Sequence, residues 1–322
     1  MNKPKRFLSI LLLIVLVLSV CTVPSYAKDS KDPDAQDILH VLFHEPYLTA
    51  AKIKTNCSSK REKMIGKIES ALLKEPYVLK KEDGGWFGKD YYAVTSGSYG
   101  TLYYGKVKNN RPDGFGVLAN GIVDLNDLSS LQNLIYAGNF KKGLYNGYGA
   151  TFNTPDKMAD YDRIAGLLAQ NGQIPYEKQE IASAYAASYV TYDGEWKNGA
   201  ASGKGNSFYM DLSEWASKMD SSEYAQENYW GGICYPNHIL ISGMKKDEAS
   251  GSARQYYFGH LMYDGKMKYG YANGTGTSYY FNGQKKYVGR WKDDSYHGKG
   301  TLYDDAGNVI YKGKWEHGEY KS

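Results

Sequence analysis

The stretch from Tyr287 to Tyr303 reads YVGRWKDDSYHGKGTLY. Tyrosine, glycine and tryptophan fall at alternate positions, 287, 289 and 291. Alternate side chains of a strand share one face, so Gly289 leaves a slot between two rings. The polar run Lys292 to His297 predicts a turn. Gly298 and Gly300 then open a return strand, at positions where backbone bends or approaches a neighbour closely. The stretch is one β-hairpin.

The same pattern recurs. With the opening tyrosine as position one, glycine falls at three, an apolar residue at five and glycine at twelve and fourteen. Tyr103 is followed so by Gly105, Gly114 and Gly116, and Tyr136 by Gly138, Gly147 and Gly149. Tyr192 is followed by Gly194, Gly203 and Gly205, and Tyr263 by Gly265, Gly274 and Gly276. Tyr287 opens a fifth copy, and Tyr311, Gly313 and Trp315 a sixth that stops at the end of the sequence. The last three openings are 24 residues apart. Asp113-Gly114, Asn146-Gly147 and Asn273-Gly274 are dipeptides that supply left-handed backbone at a bend. One hairpin cannot bury a core, so neighbours must stack and share their rings.

Tyr-x-Gly-x-aromatic followed by Gly-x-Gly, at this period, resembles the MORN repeat (membrane occupation and recognition nexus). The resemblance runs from Tyr103 to Ser322 with two interruptions, and departs from the pattern where Asn110 and Asp294 stand in place of the usual glycine at position eight. It implies a mainly β fold: an elongated, single-layered stack of hairpins, here with helical insertions and a small helical N-terminal region. It also implies a scaffold or interaction surface, with phospholipid as a ligand proposed for the family. The tyrosine-rich hairpins are similar as well to choline- and glucan-binding repeats of bacterial surface proteins, but those have a Trp-centred register.

Residues 1–27 read as a signal peptide. Lys3, Lys5 and Arg6 precede an apolar run from Phe7 to Val20, shorter than the roughly 20 residues of a membrane span. Ser25-Tyr26-Ala27 then offers a cleavage site. An uncleaved anchor and lipidation at Cys21 are the alternatives. The expectation is an exported chain of bacterial type. The formal charge of +4 becomes +1 without the three leader cations, and no block of like charge suggests nucleic acid or a polybasic membrane patch. Removing the leader leaves Cys57 and Cys234, for which a disulfide and two separate thiols are both open.

Residues 28–90 read as a helical N-terminal region, with helices over Asp34–His44 and Ser58–Leu73. Ser58 is the expected N-cap, and Pro46 and Pro76 the expected stops. Residues 91–322 read as the repeat array, with insertions at about 154–189 and 211–255. His40 and His44, four apart beside Glu45, have metal-ligand spacing but lack a third ligand, so no metal is assigned. The acids Asp193, Glu195, Asp293, Asp294 and Glu316 neighbour lysines and read as solvated sheet-face charge. No nucleophile elbow, phosphate loop or Cys-x-x-Cys occurs, so neither an enzyme nor a cofactor is expected.

The remaining candidates are aromatic. The second insertion adds Trp215, Tyr224, Tyr229 and Trp230, which with Tyr192 and Trp196 could wall a cleft for a protein partner. A glycan or phospholipid on the aromatic face is the alternative. The expected function is a non-catalytic exported scaffold for protein–protein interaction.

Overall fold

A computed structural model describes residues 35–82, 90–94, 101–125, 127–153, 188–211, 214 and 236–321. Sixteen strands form one open antiparallel sheet, in chain order except at its start, where β1 (Tyr77–Glu82) lies between β2 (Asp90–Val94) and β3 (Thr101–Lys108). Then come β4 (Arg111–Ala119), β5 (Leu134–Lys141), β6 (Leu144–Phe152), β7 (Val190–Lys197) and β8 (Ala200–Tyr209). The array continues with β9 (His238–Lys245), β10 (Glu248–Tyr257), β11 (His260–Lys268), β12 (Tyr271–Tyr279) and β13 (Lys285–Lys292). It ends with β14 (Ser295–Tyr303), β15 (Val309–Glu316) and β16 (Glu319–Lys321). The mainly β hairpin stack expected from the repeats is the fold observed.

Glycine sets the register. Gly105, Gly116, Gly138, Gly149, Gly194 and Gly205 stand directly opposite one another from β3 to β8. The row continues through Ser242 and Ala253 to Gly265, Gly276, Gly289, Gly300 and Gly313. Each opening tyrosine lays its ring over the glycines of its own hairpin: a Cβ on Gly276 would come within 2.5 Å of the Tyr263 hydroxyl and 2.7 Å of its ring. The hydroxyl then donates to the carbonyl three residues on, at 2.8 Å from Tyr263 to Lys266 and 3.0 Å from Tyr287 to Arg290. Tyrosine thus needs glycine beneath it, and the glycine row is the imprint of the rings.

The bends differ from expectation. The hairpin tip is the two-residue turn Asp293-Asp294, with φ of 48° and 62°, and β14 begins at Ser295 rather than at Gly298. Asn109-Asn110, Asn198-Gly199 and His317-Gly318 form the same left-handed pair. Such primed turns match the twist of the flanking strands. The glycines at position twelve, Gly114, Gly147, Gly203, Gly274 and Gly298, have positive φ inside the return strand, where the pairing shifts register. They are bulge residues, not turn residues.

The second insertion is shorter than expected. Residues 238–255, assigned to it from sequence, lie in the hairpin β9–β10, which runs to Tyr257 within the array. Its opening residue is Leu240 instead of tyrosine, and Ser242 and Ala253 occupy two glycine sites. Without a tyrosine ring to seat, small side chains fit. The first insertion is described only at its last two residues.

Among the described residues three helices precede the sheet: α1 (Ala35–Leu42), α2 (Glu45–Ala50) and α3 (Ser58–Leu72). Pro46 lies in the first turn of α2, where its missing N–H costs nothing, so it starts a helix rather than stopping one. His44 breaks the chain between α1 and α2 with φ of 61°, and Cys57, not Ser58, caps α3. No described helix is long and apolar enough to cross a membrane.

Candidate functional site

The two faces of the sheet have different chemistry. The glycine row and its rings occupy one face. Tyr103, Tyr136 and Tyr287 are fully buried there, and Trp196, Trp291 and Trp315 fill the gaps edge-on, with centroids 5.2–5.7 Å from the neighbouring tyrosines. Each tryptophan Nε1 donates to a glycine carbonyl: Gly149, Gly276 and Gly300. Edge-to-face rings with satisfied donors are packing, so Tyr192 and Trp196 serve the ladder. Trp215, Tyr224, Tyr229, Trp230 and Cys234 lie outside the described residues, so the expected cleft has only its first wall in view. Cys57 is a free, half-buried thiol whose Sγ lies 3.9 Å from the Lys204 carbonyl oxygen.

The opposite face divides in two. From β3 to β10 it is apolar, with Tyr104, Val117, Ala137, Tyr148, Phe152, Phe208 and Ile241 buried beneath Leu42, Phe43, Leu48, Met64 and Ile68 of the helices. A polar clamp crosses this interface. Arg61 Nε donates to Asp193 Oδ2 at 2.5 Å, Tyr148 donates to the same oxygen at 2.8 Å, and Asn206 Nδ2 donates to Oδ1 at 2.6 Å. Burial works against the Arg61 charge, and the Asp193 carboxylate more than restores it, holding the guanidinium above its ordinary value. Asn56 adds hydrogen bonds to Asn206, Gly205 and Ser242, while Lys60 meets Glu195 at 2.6 Å. Asp193 is therefore not solvated charge: it is fully buried. It stands where the preceding copies carry Tyr104 and Ala137, and that mismatch was the only signal of its role in the sequence.

The two expected metal-spaced histidines part. His44 points into the core, its Nε2–H donating to the Val190 carbonyl at 2.7 Å, and burial lowers its pKa to about 3. His40 instead meets Glu45 at 2.5 Å and Glu62 at 3.8 Å, a half-buried group drawn from all three helices. Arg61 lies 3.9 Å from Glu45 and partly neutralises it.

Past β10 none of the described helices covers the sheet, and the composition of the face changes at once. In place of the apolar residues stand Asp264 and Lys266 on β11, Thr275 and Thr277 on β12, Val288 and Arg290 on β13, and Lys299 and Thr301 on β14, followed by Lys312 and Lys314 on β15. The five cations are exposed. Between β11 and β14, Lys266, Arg290 and Lys299 border a shallow open depression of about 650 Å³ with Ser252, Asp264, Thr275 and Thr277.

The family model of the MORN repeat matches residues 103–122, 136–150, 192–209 and 287–309. The chain carries MORN repeats. No curated protein matches it. The hairpins opened by Leu240 and Tyr263 lie outside the four matched stretches, yet share their register and their glycine-row position. MORN repeats are non-enzymatic modules that commonly bind proteins or lipids.

Proposed function

We propose that this chain is a non-catalytic MORN scaffold that binds a protein partner on the uncovered face of β11–β16. One observation carries the reading: among the described residues the N-terminal helices cover that face as far as β10 and no further. The covered half is built as a core, with apolar residues and a satisfied ion pair, whereas the open half is polar, with a shallow depression between β11 and β14. A single-layered sheet with one half sealed and the other accessible presents a specific surface without machinery for chemistry. The leader in residues 1–27 supports export, to the cell surface or beyond. Intact-mass analysis of the exported chain should begin at Lys28, and a retained apolar segment contradicts this.

A photo-crosslinking residue placed at Thr277 or Thr301 tests the docking face. Both positions should yield one adduct of the same mass, and the partner identified from it should rebind the purified chain. The same residue at Ile122, exposed on the loop after β4, should yield none. Equal adducts from all three positions, or none from the face, refute the reading.

A further inference from the structure

We infer that the uncovered face of β11–β16 is a docking site for an acidic, extended segment of a protein partner. The inference rests on the scaffold reading above and adds the chemistry of the ligand.

The charge is segregated. Residues 260–321 contain ten Lys and Arg against seven Asp and Glu, and most of the acids are engaged elsewhere. Asp294 accepts from the Ala272 N–H at 2.6 Å and Asp293 from Asn273 at 3.0 Å, both at hairpin tips. Asp304 accepts from Ala306 and Asn308 within its own turn, and Glu316 pairs with Lys321. On the face itself Lys266, Arg290, Lys299, Lys312 and Lys314 share the surface with Asp264 on β11 and, at its far end, with Glu316 and Glu319 on β15 and β16. Among the described residues none of the five stands in an ion pair. Lys299 and Lys314 are direct cross-strand partners on neighbouring strands, an arrangement of like charges that destabilises a sheet. On the covered half, by contrast, the sheet's Asp193 and Glu195 are met by Arg61 and Lys60 of the helix laid over them. An anionic ligand would supply what the open half lacks.

The spacing selects the form of that ligand. Lys266, Arg290 and Lys314 recur on alternate strands, which places them about 10 Å apart across the sheet. A segment in the extended polyproline II form has three residues per turn and advances about 3.1 Å per residue, so carboxylates at every third residue share one face about 9 Å apart and meet successive cations. The threonine hydroxyls between them offer donors and acceptors to a peptide backbone. The shallow depression between β11 and β14 admits a single chain more readily than the flat surface of a bilayer.

The test uses the full-length protein and a fluorescein-labelled twelve-residue peptide with glutamate at every third position, read by fluorescence anisotropy. The acidic peptide should bind, its affinity should fall steeply with salt, and the analogue with glutamine in place of glutamate should bind at least tenfold more weakly. The Lys299→Gln/Lys314→Gln variant should bind the acidic peptide at least tenfold more weakly, whereas Lys285→Gln, off the row, should change nothing. The double variant should melt at or above the temperature of the parent, because it removes like-charge repulsion, so its lost binding is not lost folding. Equal binding of both peptides, no binding of either, or an unaffected double variant overturns the inference. So does sedimentation with phosphatidylglycerol vesicles that the double variant abolishes while the peptide fails to bind. A crosslinked partner at Thr301 with no acidic-peptide binding leaves the scaffold reading standing and removes only this one.

Discussion

Tyrosine and glycine in each hairpin should behave as one unit, and the pair Tyr263 and Gly276 measures that coupling. A methyl on Gly276 would sit 2.5 Å from the Tyr263 hydroxyl and 2.7 Å from two ring carbons, about 1 Å inside ordinary contact. The ring cannot swing clear, since its hydroxyl bonds Lys266 at 2.8 Å and its edge meets Trp291 at a centroid distance of 5.3 Å. Gly276→Ala should therefore cost about 1–3 kcal/mol, as overpacking does. Tyr263→Leu loses that hydrogen bond and the edge-on aromatic contact, together about 2 kcal/mol. In the double variant the leucine leaves room for the methyl, so it should be no less stable than Tyr263→Leu alone. The coupling is then about 2 kcal/mol. The β9–β10 hairpin already holds this combination, with Leu240 where the tyrosine would be and Ser242 and Ala253 at the glycine sites. Guanidinium unfolding followed through tryptophan fluorescence reads all four proteins. Additivity to within about 0.5 kcal/mol, the behaviour of independent sites, would refute the claim that the ring dictates the glycine.

Two further outcomes follow from the buried interface between helices and sheet. Arg61→Met strands a buried Asp193 carboxylate and should destabilise by about 3–5 kcal/mol, while Arg61→Met with Asp193→Asn should recover part of the loss; limited proteolysis of the helical segment should track both, and a null effect of the single change would show the pair to be solvated. His44 gives the fold a pH dependence: its folded pKa of about 3 lies below the ordinary 6.5, so the stabilisation from keeping it neutral is complete above pH 6.5 and declines as pH falls toward 3. At pH 5 the loss is about 2 kcal/mol, and a His44→Gln variant that declines as steeply between pH 7 and 5 would contradict the assignment.

The hairpins were legible because their signals are local. A tyrosine and its glycines lie within one unit, and the strand period of two puts them on one face whatever the neighbours do. The tips were misplaced because Gly298 and its equivalents announce left-handed backbone, which a bulge needs as much as a turn. The Leu240 hairpin was missed for a related reason: the glycine pattern marks the tyrosine ring, not the hairpin, and disappears with the ring.

Sequence alone therefore determined the repeat, its period and the glycine row, all of which arise from contacts within a unit of about two dozen residues. Only the tertiary structure decided which half of the other face is sealed. Arg61 and Asp193 are 132 residues apart in the chain, and neither carries a local mark of its partner. An aspartate beside a lysine reads as surface charge until a helix from another part of the chain is laid over it. The open cations of β11–β16 are likewise ordinary strand residues in sequence. That none of them meets a carboxylate among the described residues follows from where the helical cover ends, because a charge is paired or unpaired only in three dimensions.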